Sequence, residues 1–159
     1  MSEVKLLVTD ECRRLARWLR LMGYDTALMP ARPLPQLYRT AVNEHRVVIT
    51  RNQCVRPGRL MRVVQLAETA LDAQLRQLVQ DAGLSPSNPQ RFTRCDRCNV
   101  PVDTVEKSQV KDRVPPYVYH TQQQFTRCPA CGRIYWAATH WRWACALFER
   151  LESGPPWMS

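Results

Sequence analysis

Two Cys-x-x-Cys pairs, Cys95-Asp96-Arg97-Cys98 and Cys128-Pro129-Ala130-Cys131, stand with 29 residues between them and constrain this chain more than any other feature. Four thiolates delivered by two tight turns, each at the tip of a hairpin, can close a tetrahedral site around Zn2+. The competing use of paired cysteines is a disulfide framework. Against it stand the odd total of seven cysteines and the opening MSEVKLLVTDECRR, whose charges flank a short apolar segment on both sides instead of building a secretory signal. A structural zinc held by Cys95, Cys98, Cys128 and Cys131 is therefore expected.

The other cysteines need no chemistry. Cys12 and Cys145 fall on apolar faces of predicted helices and Cys54 in a loop, positions where a small packing side chain is the plain reading. His120 and His140 could stand in for a thiolate, but four cysteines already complete the set.

A chain of 159 residues, 45% of them hydrophobic, suits one domain, or one domain with a small appendage, and can bury a core. It contains no run of eighteen apolar residues, so a soluble, cytoplasmic protein with no membrane partner is expected. Its net charge of +9 comes from 20 arginines and 3 lysines against 14 acids. Guanidinium forks favour partners that present phosphates, nucleic acid foremost. Genomic base bias explains the same composition equally well.

The stretch GLSPSNPQ, Gly83 to Gln90, breaks the periodic pattern with a linker composition. It divides the chain into a first domain over 1–84, a linker over 85–91, a second unit over 92–152 and a tail over 153–159. In the first domain strands alternate with helices: KLLVT, a helix from Glu11 to Met22, YDTALM, a helix around Gln36 to Glu44, RVVIT, MRVVQL and a helix around Leu71 to Ala82. That alternation argues for a mostly parallel sheet covered by helices, with its functional crevice beyond the carboxyl ends of the strands. After the linker, short strands RFTR, VPVDTV, PYVYHT and RIYWAA fit the hairpins of a zinc ribbon, followed by a helix from about Trp141 to Leu151. The tail GPPWMS is expected to fray.

Chemistry is sought at the strand ends. Asp10 ends the first strand, Asn52 follows the third and Glu68 follows the fourth, with Glu11 adjacent to Asp10. Convergent acids there would hold Mg2+ or Mn2+ for phosphodiester hydrolysis. Each has a plainer role: Asp10 as a helix N-cap, Asn52 as a turn residue, Glu68 as a favourable charge near a helix start.

In the helix after Asp10 the apolar positions form one stripe, while Arg13, Arg17 and Arg20 share the other side with Arg14 beside them. This is either a solvated face or, with Arg51 at the end of the third strand, a surface for RNA phosphates. Ten of the 13 aromatic residues lie from Phe92 onward, interleaved with arginines. They could stack on unpaired bases or supply the core that so small a module needs.

Asp10 followed by RRLARWLRLMGYDT, then RVVITRN, RCDRCN, KDRVPPYVY and RCPACGRIYWAATHW, together resemble the Mut-seven C-terminal RNase family, a PIN-like nuclease domain followed by a zinc ribbon. The resemblance runs from about Val4 to Trp141, and RVPPYVY and CGRIYW are its most specific segments. It implies a PIN-like three-layer α/β/α domain with a mostly parallel sheet, a small β-rich zinc ribbon, RNA as the substrate class and a divalent-metal site of strand-end acids. Asp10 matches the family's first acid, and Cys95, Cys98, Cys128 and Cys131 match its zinc ligands. The sequence departs from the pattern twice. Asn52 stands where the family has an aspartate after Thr-Arg, and PARPLPQL replaces acids at the start of the second helix, which leaves Arg32 among the missing carboxylates. An amide oxygen still binds a divalent cation, but more weakly than a carboxylate.

Two readings of different class follow. One is an RNA-binding protein that keeps the nuclease scaffold with a depleted metal centre; the other is a working metal-dependent ribonuclease using Asp10, Asn52 and Glu68. A third is a protein-interaction module of an RNA-processing or translation assembly.

Overall fold

Four apolar runs become strands β1 (Lys5–Thr9), β2 (Asp25–Met29), β3 (Arg46–Thr50) and β4 (Val63–Gln65). The computed structural model describes residues 3–154; the fraying expected of the tail concerns residues outside these, from 155 onward. All the pairings in this sheet are parallel, in the order β2-β1-β3-β4. The sheet reverses direction beside β1, because the chain steps to β2 on one side and then crosses to β3 on the other. That reversal opens a crevice at the carboxyl ends.

The helices are α1 (Arg13–Leu21), α2 (Leu34–Asn43) and α3 (Leu71–Asp81). A 3-10 turn over Asp10–Cys12 precedes α1, so the regular helix starts two residues later than the apolar stripe indicates. Helix α2 starts earlier than expected, with Pro35 in its first turn, where a missing N–H costs nothing.

Alternation along the strands sorts the side chains into two layers. Leu6, Val8 and Ile49 pack on one face with Leu15, Leu19, Leu75 and Leu78 of α1 and α3. Leu7 and Val48 pack on the other with Leu37 and Ala41 of α2. This is the expected three-layer α/β/α arrangement.

The segment over 85–91 lies against this domain. Ser85 N–H donates to the Tyr24 hydroxyl at 2.7 Å, and Phe92 N–H donates to Leu21 O at 2.8 Å. Gly23 turns from α1 into β2 at φ +96°, and a Cβ there would meet Gln90 O at 2.4 Å. Only glycine fits that combination of backbone and space.

The second unit contains an antiparallel sheet of β5 (Asp103–Val105), β6 (Phe125–Arg127) and β7 (Ile134–Tyr135). Phe125 packs there with Val110, Val114 and Val118 in a small separate core. The expected strands need correction. PYVYHT is helix α4 (Pro116–Thr121), because Pro116 at its start has φ already set for a helix and outweighs the β preference of Tyr and Val. RFTR makes only an isolated bridge, Arg94 to Pro101, and β6 lies in a segment not read as a strand.

Helix α5 (Thr139–Ser153) follows the ribbon in sequence, yet it buries Ala144, Leu147, Phe148 and Leu151 in the core with α1 and α3. Phe148 meets Trp18 edge-on at 6.1 Å. No helix among the described residues is long and apolar enough to cross a membrane.

Candidate functional site

The two knuckles fold alike. Cys95 N–H donates to Val100 O and Asn99 N–H to Cys95 O, each at 2.9 Å; Cys128 N–H donates to Arg133 O and Gly132 N–H to Cys128 O, again at 2.9 Å. The residue after each pair has positive φ, +67° at Asn99 and +76° at Gly132, as these tight turns demand. The outcome is a cluster in which the Sγ atoms of Cys95, Cys98, Cys128 and Cys131 all lie within 4.8 Å of one another. Cys95 Sγ and Cys131 Sγ are 3.8 Å apart. Tetrahedral geometry with metal–sulfur bonds near 2.3 Å requires about 3.8 Å between sulfurs. The four cysteines therefore form a site for a metal ion, and neither His120 nor His140 belongs to it. Of the remaining cysteines Cys12 is buried and Cys145 partly so, but Cys54 is exposed and is not the packing residue expected.

The first knuckle is bound tightly to α1, and this changes the role of the helix's arginines. Arg17 donates to Asp96 Oδ2 through Nε at 2.9 Å and Nη2 at 2.6 Å. The Tyr135 hydroxyl donates to Asp96 Oδ1 at 2.6 Å. Burial pushes the Asp96 carboxyl up, but the bonds from Tyr135 and Arg17 outweigh it and hold its pKa below the usual value. Arg20, only 7% exposed, donates to Thr26 O at 2.9 Å, to Asp96 O at 2.9 Å and to Arg97 O at 3.0 Å. Asn99 completes the junction: its Nδ2 donates to Asp25 Oδ1 at 2.7 Å, and its Oδ1 accepts from Thr26 N–H at 2.8 Å. Arg20 is thus a structural post, correcting its expected place on an RNA-facing surface, and Arg17 is committed to Asp96. Arg13 and Arg14 remain exposed.

The crevice at the strand ends follows from the register. Thr9 pairs with Met29, and Val8 with Ile49, so the residues after β1, β2 and β3 emerge side by side. Asp10, Glu11, Arg32, Arg51 and Asn52 line a cavity of about 570 Å³ with Pro30 and Ala31. The juxtaposition of Asp10, Asn52 and Arg32 expected from the sequence is present. Glu68 is not in the lining. It is exposed beyond the edge strand β4, and its backbone carbonyl accepts from Gln74 Nε2 at 2.8 Å, which secures the start of α3.

Asp10 does not cap the helix. It sits inside the 3-10 turn, where no side-chain cap bond forms, and among the described residues its carboxylate has no hydrogen-bond or ion-pair partner. Asn52 does serve its turn, since its Oδ1 accepts from Cys54 N–H at 2.9 Å.

The best-fixed acid of the crevice is Glu11, which the sequence did not single out. Its Oε1 lies 2.6 Å from Thr9 Oγ1, 3.0 Å from Thr50 Oγ1 and 3.1 Å from the Arg51 amide that donates to it. The two threonine oxygens are themselves 2.7 Å apart. Burial raises the Glu11 carboxyl, but these donors win and its pKa is lowered. The available signal was the pair of strand-terminal threonines, Thr9 and Thr50, which are neighbours only once β1 and β3 pair in parallel.

Among the described residues, the four cysteines are the only group of three or more acidic, histidine or cysteine side chains close enough to share one ion. The crevice brings together two carboxylates and two guanidinium groups, so its lining is formally neutral. Residues 4–148 match a family described as the Mut7-C RNAse domain. Comparison with curated proteins and with solved structures returned no match.

Proposed function

The chain belongs to the Mut7-C RNAse domain family, and from that membership we propose that it is an RNA-binding protein on a nuclease scaffold whose metal centre is depleted. The observation that carries this reading is the crevice lining. It offers Asp10 and Glu11 but no third acid, and it places Arg32 and Arg51 beside them. A centre that activates water for phosphodiester cleavage gathers anionic ligands and concentrates Mg2+ or Mn2+. A lining of zero formal charge, with Asn52 spending its amide oxygen on a turn, has little such attraction.

The ion in the four-cysteine site is Zn2+, the ordinary occupant of four thiolates in tetrahedral array, and its role is to hold the ribbon together. Reduced thiols of this kind persist in a reducing compartment, which supports a cytoplasmic protein. The RNA contacts fall to Arg13, Arg14 and Arg51, the members of the expected set whose guanidinium groups have no partner within the described fold. Exposed rings supplement them, above all Tyr117 at 71% and Trp143 at 64% exposure. Phe125, Tyr119 and Trp136 serve the small core instead.

The reading is tested by the affinity for single-stranded RNA as a function of salt, with and without EDTA at a level that spares the tightly held zinc. Affinity should fall steeply with salt and stay the same in chelator. A flat salt response, or binding that requires added Mg2+, defeats it. The second reading, an active ribonuclease, is favoured by the unpartnered Asp10 carboxylate next to a firmly placed Glu11. In that case Mn2+ supports cleavage and Asp10→Ala abolishes it.

A further inference from the structure

We infer that the strand-end crevice is a receptor for a phosphate group of RNA, held directly on the guanidinium groups of Arg32 and Arg51 with no divalent cation between. The inference rests on the RNA-binding reading and gives it a place. Arg32 arrives from the end of β2 and Arg51 from the end of β3, on either side of the β1 terminus, and both line the same cavity. Among the described residues neither guanidinium forms an ion pair with a carboxylate; Arg32 Nη2 donates to Cys54 Sγ at 3.6 Å, a weak bond to sulfur. Two forks without a carboxylate partner, entering one open crevice from separate strands, match the paired oxygens of a phosphate, which each fork can engage with parallel N–H bonds.

The acids in the same crevice do not defeat this arrangement. Glu11 is turned to internal work, its Oε1 held by the Thr9 and Thr50 hydroxyls and the Arg51 amide. It thereby fixes the backbone from which the Arg51 side chain extends. Glu11 keeps its charge, so the lining as a whole stays formally neutral. What favours the phosphate is the directed N–H donors of the two guanidinium forks, with the unpartnered Asp10 as the carboxylate best placed to oppose it. The crevice, about 570 Å³ and open to solvent, leaves room for a phosphate group to reach both forks. Pro30 and the buried Ala31 give it an apolar wall against which a ribose or base can rest.

The test compares one single-stranded RNA sequence bearing either a 5′-phosphate or a 5′-hydroxyl, in EDTA, against wild type and the Arg32→Ala, Arg51→Ala and Asp10→Asn variants. Each of the three side chains is exposed, and the Arg51 bond to Glu11 comes from the backbone, so the variants keep the fold. Arg32→Ala and Arg51→Ala should each weaken binding roughly tenfold, the worth of a charge-assisted bond. Asp10→Asn should tighten it about threefold by removing the opposing charge. A loss confined to the 5′-phosphorylated RNA identifies a terminal phosphate as the ligand, and an equal loss with both RNAs identifies an internal phosphodiester. Unchanged affinity in both arginine variants, or weaker binding in Asp10→Asn, overturns the assignment while leaving RNA binding elsewhere on the surface intact. If wild type binds neither RNA, the RNA-binding reading itself falls. Calorimetry with inorganic pyrophosphate then judges the crevice alone: heat lost in Arg32→Ala sustains the receptor, and no heat in wild type overturns it.

Discussion

Replacing Arg20 by methionine keeps most of the side chain's length and apolar stem but removes every donor. In the native fold three carbonyl oxygens, those of Thr26, Asp96 and Arg97, accept from this guanidinium at 2.9, 2.9 and 3.0 Å. Each bond contributes a net of about 1 to 1.5 kcal/mol, and a carbonyl left buried without a donor costs more. Against this runs the cost of holding a charge out of water, visible in the way burial lowers the Arg20 pKa. Relief of that cost returns part of the loss, so a net destabilisation of about 2–4 kcal/mol is expected. Two of the three carbonyls belong to the loop between Cys95 and Cys98, so the variant should also release its metal faster. Urea unfolding followed by tryptophan fluorescence reads the first effect, and transfer of zinc to a chromogenic chelator reads the second. A stability loss below about 1 kcal/mol, accompanied by a several-fold drop in RNA affinity, would refute the reasoning. It would mean that Arg20 faces RNA after all, as its position on the polar stripe of the helix indicates.

Three further outcomes follow from the same geometry. Gly23→Ala puts a Cβ 2.4 Å from Gln90 O at φ +96°; strain and overlap together should cost roughly 2–4 kcal/mol in a denaturant titration, and a neutral result would show that the 85–91 segment does not rest on this turn. Removal of the zinc by a strong chelator should unfold the ribbon and expose the Asp96 junction to rapid amide exchange, with about one zinc recovered per chain by elemental analysis; a metal-free protein with the native exchange pattern would defeat the assignment. Burial raises the Asp25 carboxyl, but hydrogen bonds from Arg46 at 2.8 Å and Asn99 at 2.7 Å lower it below its ordinary value of 3.8. Because the folded pKa is the lower one, the stabilisation is complete above about pH 4 and disappears as pH falls through the folded value. Asp25→Asn should flatten this part of the acid unfolding curve, and an unchanged curve would count against the pairing.

What could be read from the sequence depended on whether a local pattern had a single solution. The buried strands β1 and β3 appear as unbroken apolar runs because helices cover both faces of the sheet, and the Cys-x-x-Cys spacing has few uses other than a metal site. The placing of Asp10 and Asn52 together follows from the rule that parallel sheets open their crevice at the carboxyl ends, and that of Arg32 beside them from the resemblance to the family, whose acids it stands among. Other assignments failed because their causes lie far away in the chain. Nothing local distinguishes Arg20 from Arg13: both lie on the polar stripe, and only docking of the knuckle some 76 positions later buries one of them. Glu11 gains its importance from Thr50, 39 positions away. PYVYHT carries strand-like residues, and its helix is set by one proline at its first position. Helix α5 follows the ribbon in sequence but finds its apolar partners on α1 and α3, which no linear division of the chain would reveal.

The central claim is that the crevice keeps a nuclease's shape without its metal-dependent chemistry. The most direct measurement is cleavage of end-labelled single-stranded RNA with protein in excess and Mn2+ at millimolar concentration, followed over hours. The account predicts intact RNA that remains bound throughout. Mn2+-dependent cleavage that disappears in Asp10→Ala would contradict it.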